Sequence, residues 1–239
     1  MAGRLQNRLA LITGASRGIG RAVALAMAAE GAHPILVART VGGLEEVDDE
    51  IRQMGGSATL VPLDLTDFDA IDRLGGTIFE RWGKLDILVG NAGMLGSLTP
   101  VNHIEPKDWD RLLAVNLTAN WRLIRSCDPL LRRAEAGRAI FVTSGAARKC
   151  RPFWGGYSIT KSALETMVVT WAHENEKTSL RINLISPGPV RTAMRAQAMP
   201  GEDPGTLPTP KQVAPLFVEL ATEAYQGHGR IVEFKRAPD

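Results

Sequence analysis

The strongest constraint on this chain is an alternation. Short apolar runs of strand length stand at 8–13, 34–38, 58–63, 85–90, 138–144, 181–186 and 230–234. Longer segments with helical spacing lie between them at 20–30, 43–54, 67–82, 106–134, 157–176 and 210–222. Apolar runs with no in-and-out alternation suit strands buried on both faces, and strands separated by helices pair in parallel. The expectation is an α/β fold: a Rossmann-like doubly wound parallel sheet of about seven strands, with helices on both faces. The length of 239 residues fits one domain, 1–239.

Composition narrows the function. Hydrophobic residues make up 44% and charged residues 23%, enough apolar material for a core and too much for a disordered, collagenous or coiled-coil chain. Twenty-eight basic against 26 acidic residues give a net charge of +2, too small for the single-sign field that nucleic acid or a membrane surface demands. Neither partner is expected. No apolar stretch reaches the ~18 residues of a membrane span, and the first apolar run is too short for a secretory signal, so a cytoplasmic location is expected. Cys127 and Cys150 form no disulfide framework, and with His33, His103, His173 and His228 they show no metal-ligand spacing. No metal is expected. Glu45, Glu46, Asp48, Asp49 and Glu50 share one helical segment and read as a solvated face.

The first apolar run enters Gly14-Ala15-Ser16-Arg17-Gly18-Ile19-Gly20 and then a helix. Glycines there let the backbone approach a pyrophosphate, and the helix start offers unpaired N–H groups and a positive dipole end. The spacing is G-x-x-x-G-x-G, so it meets the physical requirement of a dinucleotide turn without the commoner lettering. Dinucleotide sites often set an acidic residue on the adenosine ribose about 20 residues further on. This chain has Arg39 at that point, and Arg17 inside the turn. A guanidinium suits a 2′-phosphate, so NADP(H) is expected over NAD(H).

Tyr157 and Lys161 lie four apart at the start of a helical segment and so share a face. An ammonium ~4 Å from a phenol, at an effective dielectric of about 20, favours phenolate by roughly 4 kcal/mol, around three pKa units. Tyr157 would then exchange protons near neutrality. Ser144 ends the preceding strand, where ligands sit in open α/β sheets. Arg148, Lys149 and Arg151 make a basic loop expected to border the substrate opening, and Phe153 and Trp154 precede Tyr157 as candidates for an apolar wall. Segment 187–210 carries six prolines and three glycines in its 24 residues and reads as a mobile substrate flap.

Thr13 to Gly20, Asn91-Ala92-Gly93, Asn116, Ser144, Tyr157-x-x-x-Lys161 and Pro187-Gly188 with Thr192 stand in the order and spacing of the short-chain dehydrogenase/reductase superfamily, which the chain resembles over nearly its whole length. The resemblance implies that Tyr157 is the acid/base, that Ser144 holds the substrate oxygen, and that Lys161 binds the nicotinamide ribose and lowers the tyrosine. It implies that Asn116 holds a relay water. It also implies that Asp64 and Leu65 meet the adenine, that Asn91, Ala92 and Gly93 support strand and cofactor, and that Pro187, Gly188, Val190 and Thr192 embrace the nicotinamide. Stretch 187–204 is similar to a bacterial branch, the YciK-like oxidoreductases.

Two departures stand out: Gly90 occupies a position where the family often has asparagine, and the chain's end lacks the common V-D-G-G close. A homodimer or homotetramer is the family's expectation. The activity implied is reduction of a small-to-medium carbonyl, or oxidation of the alcohol. The rivals are a 3-oxoacyl thioester reductase, and a non-catalytic NADP(H)-binding redox sensor.

Overall fold

The computed structural model describes residues 3–236. Seven strands form one parallel sheet: β1 (Leu9–Thr13), β2 (His33–Ala38), β3 (Thr59–Pro62), β4 (Ile87–Gly90), β5 (Arg138–Val142), β6 (Arg181–Ser186) and β7 (Ile231–Glu233). Their order is β3-β2-β1-β4-β5-β6-β7, so the chain reverses direction of winding between β1 and β4. Every pairing is parallel. That confirms the doubly wound sheet, down to the short terminal strand.

The strands alternate between two cores. Ala10, Ile12, Leu36, Val89 and Ile185 face one side, where α1 (Gly18–Ala29), α2 (Val41–Gln53) and α9 (Pro210–Ala221) pack. Leu9, Leu11, Val37, Leu88 and Leu184 face the other, under α3 (Phe68–Trp82), α5 (Ala119–Leu131) and α7 (Gly155–Glu174). Both faces are covered, which is why β1 is buried at all five positions. Local chemistry sets the helix ends. Asp67 accepts from Ala70 N at 2.9 Å to start α3, and Gly83 ends it in the left-handed conformation. Thr209 and Gln212 form a reciprocal capping box at the start of α9.

Three details differ from the sequence reading. Segment 106–134 is two helices, α4 (Pro106–Leu113) and α5, joined by a π turn at Ala114–Thr118. Periodicity alone does not show the extra residue in such a turn, which is held here by the side chain of Asn116. The acidic run is only partly solvated: Glu45, Glu46 and Asp49 are exposed, Asp48 turns inward beside Arg52, and Glu50 pairs with Arg21. Segment 187–210 is folded rather than irregular, with α8 (Ala193–Ala198) and a 3₁₀ turn at Pro204–Thr206. Within it Arg195 makes two 2.5 Å bonds to Glu202, and Arg191 donates to Pro204 O at 2.6 Å and Pro208 O at 2.9 Å.

Gly90 has a packing reason. A Cβ there would run into the ring of Phe141 on neighbouring β5 and lie 3.0 Å from Asn120 Oδ1. The fully buried Phe141 ring takes the space a larger residue would fill. The basic loop begins with α6 (Ala146–Lys149).

Candidate functional site

At the carboxyl ends of the strands opens a cleft of about 2060 Å³, lined from the glycine turn at one end to Trp154 and Met194 at the other. Crevices at this end of the sheet, where the winding reverses, are where α/β folds bind ligands. A second hollow of about 730 Å³ lies at the opposite end of the sheet, between His33, Trp82 and Asp86, away from all these groups.

The glycine turn is built to bring backbone close to a ligand. Gly14 and Gly18 have φ of 66° and 58°, which side-chain-bearing residues rarely adopt. At Gly20 a Cβ would collide with the Gly14 carbonyl and the Asn91 amide. Asn91 braces the turn from the next strand: its Nδ2 donates to Thr13 O at 2.8 Å, while Asn91 N and Ala92 N both donate to Thr13 Oγ1 at 3.0 Å. The first turn of α1 contains no acidic residue, and no side chain caps it. Its N–H groups are thus left for an anion. Ser16, Arg17, Gly18 and Ile19 line the cleft, and the Thr192 methyl stands 3.6 Å from a Cβ built on Gly18, so the Pro187–Gly188–Val190–Thr192 stretch faces the turn.

Arg39 and Asp64, at the ends of β2 and β3, lie 3.8 Å apart with side chains 59% and 46% exposed. Asp64 is already engaged: Oδ1 accepts from Thr66 N and Thr66 Oγ1, both at 2.9 Å. Those bonds, the backbone one foremost, hold its carboxyl below the usual range. Leu65 lines the cleft beside it. The open N–H groups of the turn and the cations Arg17 and Arg39 are the features at this end of the cleft that could meet the anionic groups of a dinucleotide.

At the other end, Tyr157, Ser144 and Lys161 converge. Tyr157 and Lys161 rise from the first turns of α7, and Ser144 follows β5. All three line the cleft. Burial pushes the Tyr157 phenol up to about 12, and its hydrogen bond with Ser144 only partly opposes this. The depression expected from Lys161 is absent. Lys161 Nζ donates to Val142 O at 2.8 Å and sits 5.8 Å from the centre of the tyrosine ring. Its own burial lowers it to about 8, with Glu165 opposing. Desolvation outweighs the pair's attraction because both groups are almost wholly removed from water.

Asn116 is close by, in the π turn, but its side chain is committed. Met94 N donates to Oδ1 at 2.8 Å, and Nδ2 donates to Met94 O at 2.9 Å and Thr160 Oγ1 at 3.1 Å. Asn120 Nδ2 donates to its carbonyl at 2.8 Å. A Cβ on Gly93 would lie 3.3 Å from Asn116 Oδ1, a tight approach, and 3.6 Å from Lys161 Nζ, an ordinary contact, so this residue sits against both groups.

The wall above Tyr157 is apolar: Leu95, Leu98, Ala146, Trp154, Met194 and Met199 pack around it, with the Trp154 ring edge-on at 6.1 Å. Phe153, by contrast, is 55% exposed and not part of this cluster. The basic loop divides. Arg148 turns away to Glu233 at 3.2 Å and Glu165 at 3.9 Å, while Lys149 and Arg151 line the cleft. The histidines have structural partners where these are resolved: His33 bonds Ser57 and Thr59, and His228 joins Ile182 N to Ala172 O.

Sequence reasoning missed Glu165, which accepts from Thr143 Oγ1 at 2.7 Å. Its position four residues past Lys161 was the available signal. It also missed Met94, whose backbone holds Asn116, and nothing in the spelling of a main-chain contact marks it.

A parallel sheet with a glycine turn at its switch point is the architecture of a nucleotide-binding α/β fold. Residues 8–203 match the family model described as short chain dehydrogenase. The chain belongs to the short chain dehydrogenase family. It is 36% identical to an uncharacterized oxidoreductase, YciK of Escherichia coli K12, over 90% of this chain and 86% of that one. It is 32% identical to a 3-oxoacyl-[acyl-carrier-protein] reductase of Synechocystis, over 80% and 77% of the two chains. A crystal structure of a short chain dehydrogenase from Escherichia coli CFT073, complexed with NADPH, superposes with a TM-score of 0.92 at 36% identity, covering 96% of this chain and 98% of that one.

Proposed function

We propose that this protein is an NADP(H)-preferring carbonyl reductase, or the reverse alcohol dehydrogenase, acting on small-to-medium substrates. The observation that carries this is the convergence of Tyr157, Ser144 and Lys161 in one cleft with a glycine turn and two cations at its far end. Bound NADP(H) supplies or accepts the hydride. The chain's residues do the rest. Ser144 orients the substrate oxygen by hydrogen bonding and stabilises charge as it develops. Tyr157 gives that oxygen its proton in reduction and takes it back in oxidation; a phenol near 12 in this structure favours the donor form. Lys161 holds the ribose hydroxyls with the ammonium N–H groups that Val142 O does not use. The Asn116 carbonyl, which accepts from Asn120 Nδ2, is the group that would hold a relay water. Gly14, Gly18 and Gly20 seat the pyrophosphate, Asp64 and Leu65 border the adenine, and Asn91, Ala92 and Gly93 back the nicotinamide.

The test is NADPH oxidation against a panel of carbonyls with wild type and Tyr157→Phe. The variant should lose 10²–10⁴ of turnover, the range for a general acid, with NADPH affinity retained. Equal rates in both proteins would refute the role of Tyr157, and no turnover in either would favour a redox sensor. A 3-oxoacyl thioester substrate is the second reading, favoured by Lys149 and Arg151 on the rim and by the Synechocystis relative. Activity on the carrier-bound thioester far above that on the free ketone would establish it. Segment 187–210 serves as the flap, and hydrogen exchange across it should slow when NADPH and a substrate analogue bind. Unchanged exchange would make it a fixed wall. A cytoplasmic site of action goes with this reading; among the described residues no helix is long and apolar enough to cross a membrane.

A further inference from the structure

Two adjacent residues at the end of β5 each hold a side chain of α7. The carbonyl of Val142 accepts from Lys161 Nζ at 2.8 Å, and the hydroxyl of the next residue, Thr143, donates to Glu165 Oε1 at 2.7 Å. Lys161 and Glu165 are one helical turn apart, so this pairing sets an ammonium and a carboxylate along the same strand end, without a direct ion pair between them. Neither is free in water: Lys161 is 3% exposed and the Glu165 side chain 12%.

The surroundings of the ammonium are otherwise uncharged. From α7 it faces Tyr157 and Glu165, from β5 the Val142 carbonyl, and from the loop after β4 Gly93, with Asn116 beyond. Beside Glu165 stands Arg148 of α6, whose Nε lies 3.9 Å from Glu165 Oε1 and whose Nη2 reaches Glu233. Burial drives Lys161 toward the neutral form, and Glu165 is the charged neighbour that opposes this. A neutral Lys161 could neither favour phenolate at Tyr157 nor offer the same hold on a ribose hydroxyl.

We propose that Glu165, braced by Thr143, is a positioning residue for the reaction: its buried carboxylate keeps Lys161 charged and so sets the pH above which Tyr157 loses its assistance. The inference rests on the assignment of Tyr157 and Lys161 in the proposed function. It assigns Glu165 no contact with substrate or cofactor. Arg148 enters with the opposite sign, since a cation beside Glu165 draws its field away from Lys161.

The test is the pH profile of kcat/KM for NADPH-dependent carbonyl reduction in wild type, Glu165→Gln, Glu165→Asp and Arg148→Gln. Glutamine keeps an oxygen for Thr143 and removes only the charge. The alkaline limb should move down by about one pH unit in Glu165→Gln, the lower end of what an opposite charge at short range contributes. It should return toward wild type in Glu165→Asp and move up, by less, in Arg148→Gln. Rates falling by one factor at every pH, or limbs in Glu165→Gln and Arg148→Gln that shift the same way, would mark a structural role and overturn the proposal. The titration of the Lys161 side chain, followed by heteronuclear NMR in wild type and Glu165→Gln, reads the same charge without turnover. A lower midpoint in the variant supports the proposal even if no carbonyl is found that the enzyme reduces, and an unchanged midpoint refutes it even if Tyr157→Phe is inactive. Should Glu165→Gln fail to fold, Thr143→Val leaves the carboxylate but frees it to turn away, and the limb should still move down; an unmoved limb there overturns the claim.

Discussion

On the proposed preference for NADP(H), replacing Arg39 by aspartate should reverse the choice of coenzyme. In the structure the guanidinium is 59% exposed and stands 3.8 Å from Asp64, an ion pair of the kind worth only ~0–1 kcal/mol. It is therefore given up cheaply when a 2′-phosphate competes for the same cation. A hydrogen bond to a charged group contributes ~1.5–3 kcal/mol, and the exposure argues for the low end, so losing it should weaken NADPH about tenfold. The new carboxylate adds repulsion. At ~5 Å and a water-like dielectric each unit charge contributes ~0.8 kcal/mol, and a phosphate carries nearly two. Together these predict roughly a 100-fold rise in the Kd for NADPH in Arg39→Asp. NADH, with no phosphate there, should bind as before or better, since a carboxylate can accept from the ribose hydroxyls. Quenching of protein fluorescence by each coenzyme, at low and high salt, measures both constants. A fall in affinity of equal size for NADH and NADPH would refute the reasoning, as would a wild-type protein that binds the two alike.

Phe141→Ala should cost ~3–5 kcal/mol, because the ring is fully buried and the facing Gly90 offers nothing to collapse into the hole. Calorimetry should show a melting temperature lower by on the order of 10 °C, and a change within 2 °C of zero, roughly half a kcal/mol, would refute the packing argument. Stability should also depend on alkaline pH in a definite sense. Lys161 falls from 10.5 unfolded to about 8 folded, so between those values the unfolded chain holds the extra proton and stability rises with pH. Tyr157 rises from 10 to about 12, so above 10 the folded chain holds the extra proton and stability falls. Melting temperatures across this range should lose the rise in Lys161→Met and the fall in Tyr157→Phe; identical profiles in all three proteins would contradict both assignments.

The fold was legible because its signals are local. Strands such as Leu9–Thr13, buried on both faces, spell themselves as uninterrupted apolar runs, and the glycine turn follows one of them directly. The site residues were legible for a similar reason: Ser144, Tyr157 and Lys161 lie near strand and helix ends whose positions the alternation supplies. What stayed hidden depends on distance through space. The resemblance singles out Asn116, but that Met94 occupies its side-chain amide is nowhere in the sequence. The phenol's environment could not be anticipated either, since pairing with Lys161 is visible in the spacing and the burial that outweighs it is not. Arg148 looked equivalent to Lys149 and Arg151 in the sequence, and only the positions of Glu165 and Glu233 separate it from them.

At the end of the sheet opposite the cleft, two buried arginines reach the last turn of α9. Arg8, just ahead of β1, donates to the carbonyls of Ala221 and Ala136, and Arg138 at the start of β5 donates to Thr222 O and Glu223 O at 2.9 Å each. Of these, the Ala221 and Thr222 carbonyls belong to the unpaired, negative end of the helix, and Glu223 follows it, so the cations are matched to that end. A chain that stops short of residue 221 lacks the Ala221, Thr222 and Glu223 carbonyls, and leaves Arg8 with only Ala136 O and Asp86 O and Arg138 with only Gly137 O and Ser179 O to offset its burial. The opening strand is thus completed by a helix about 200 residues further along the chain, and a fragment cut before α9 should behave as an unfinished protein rather than a smaller one.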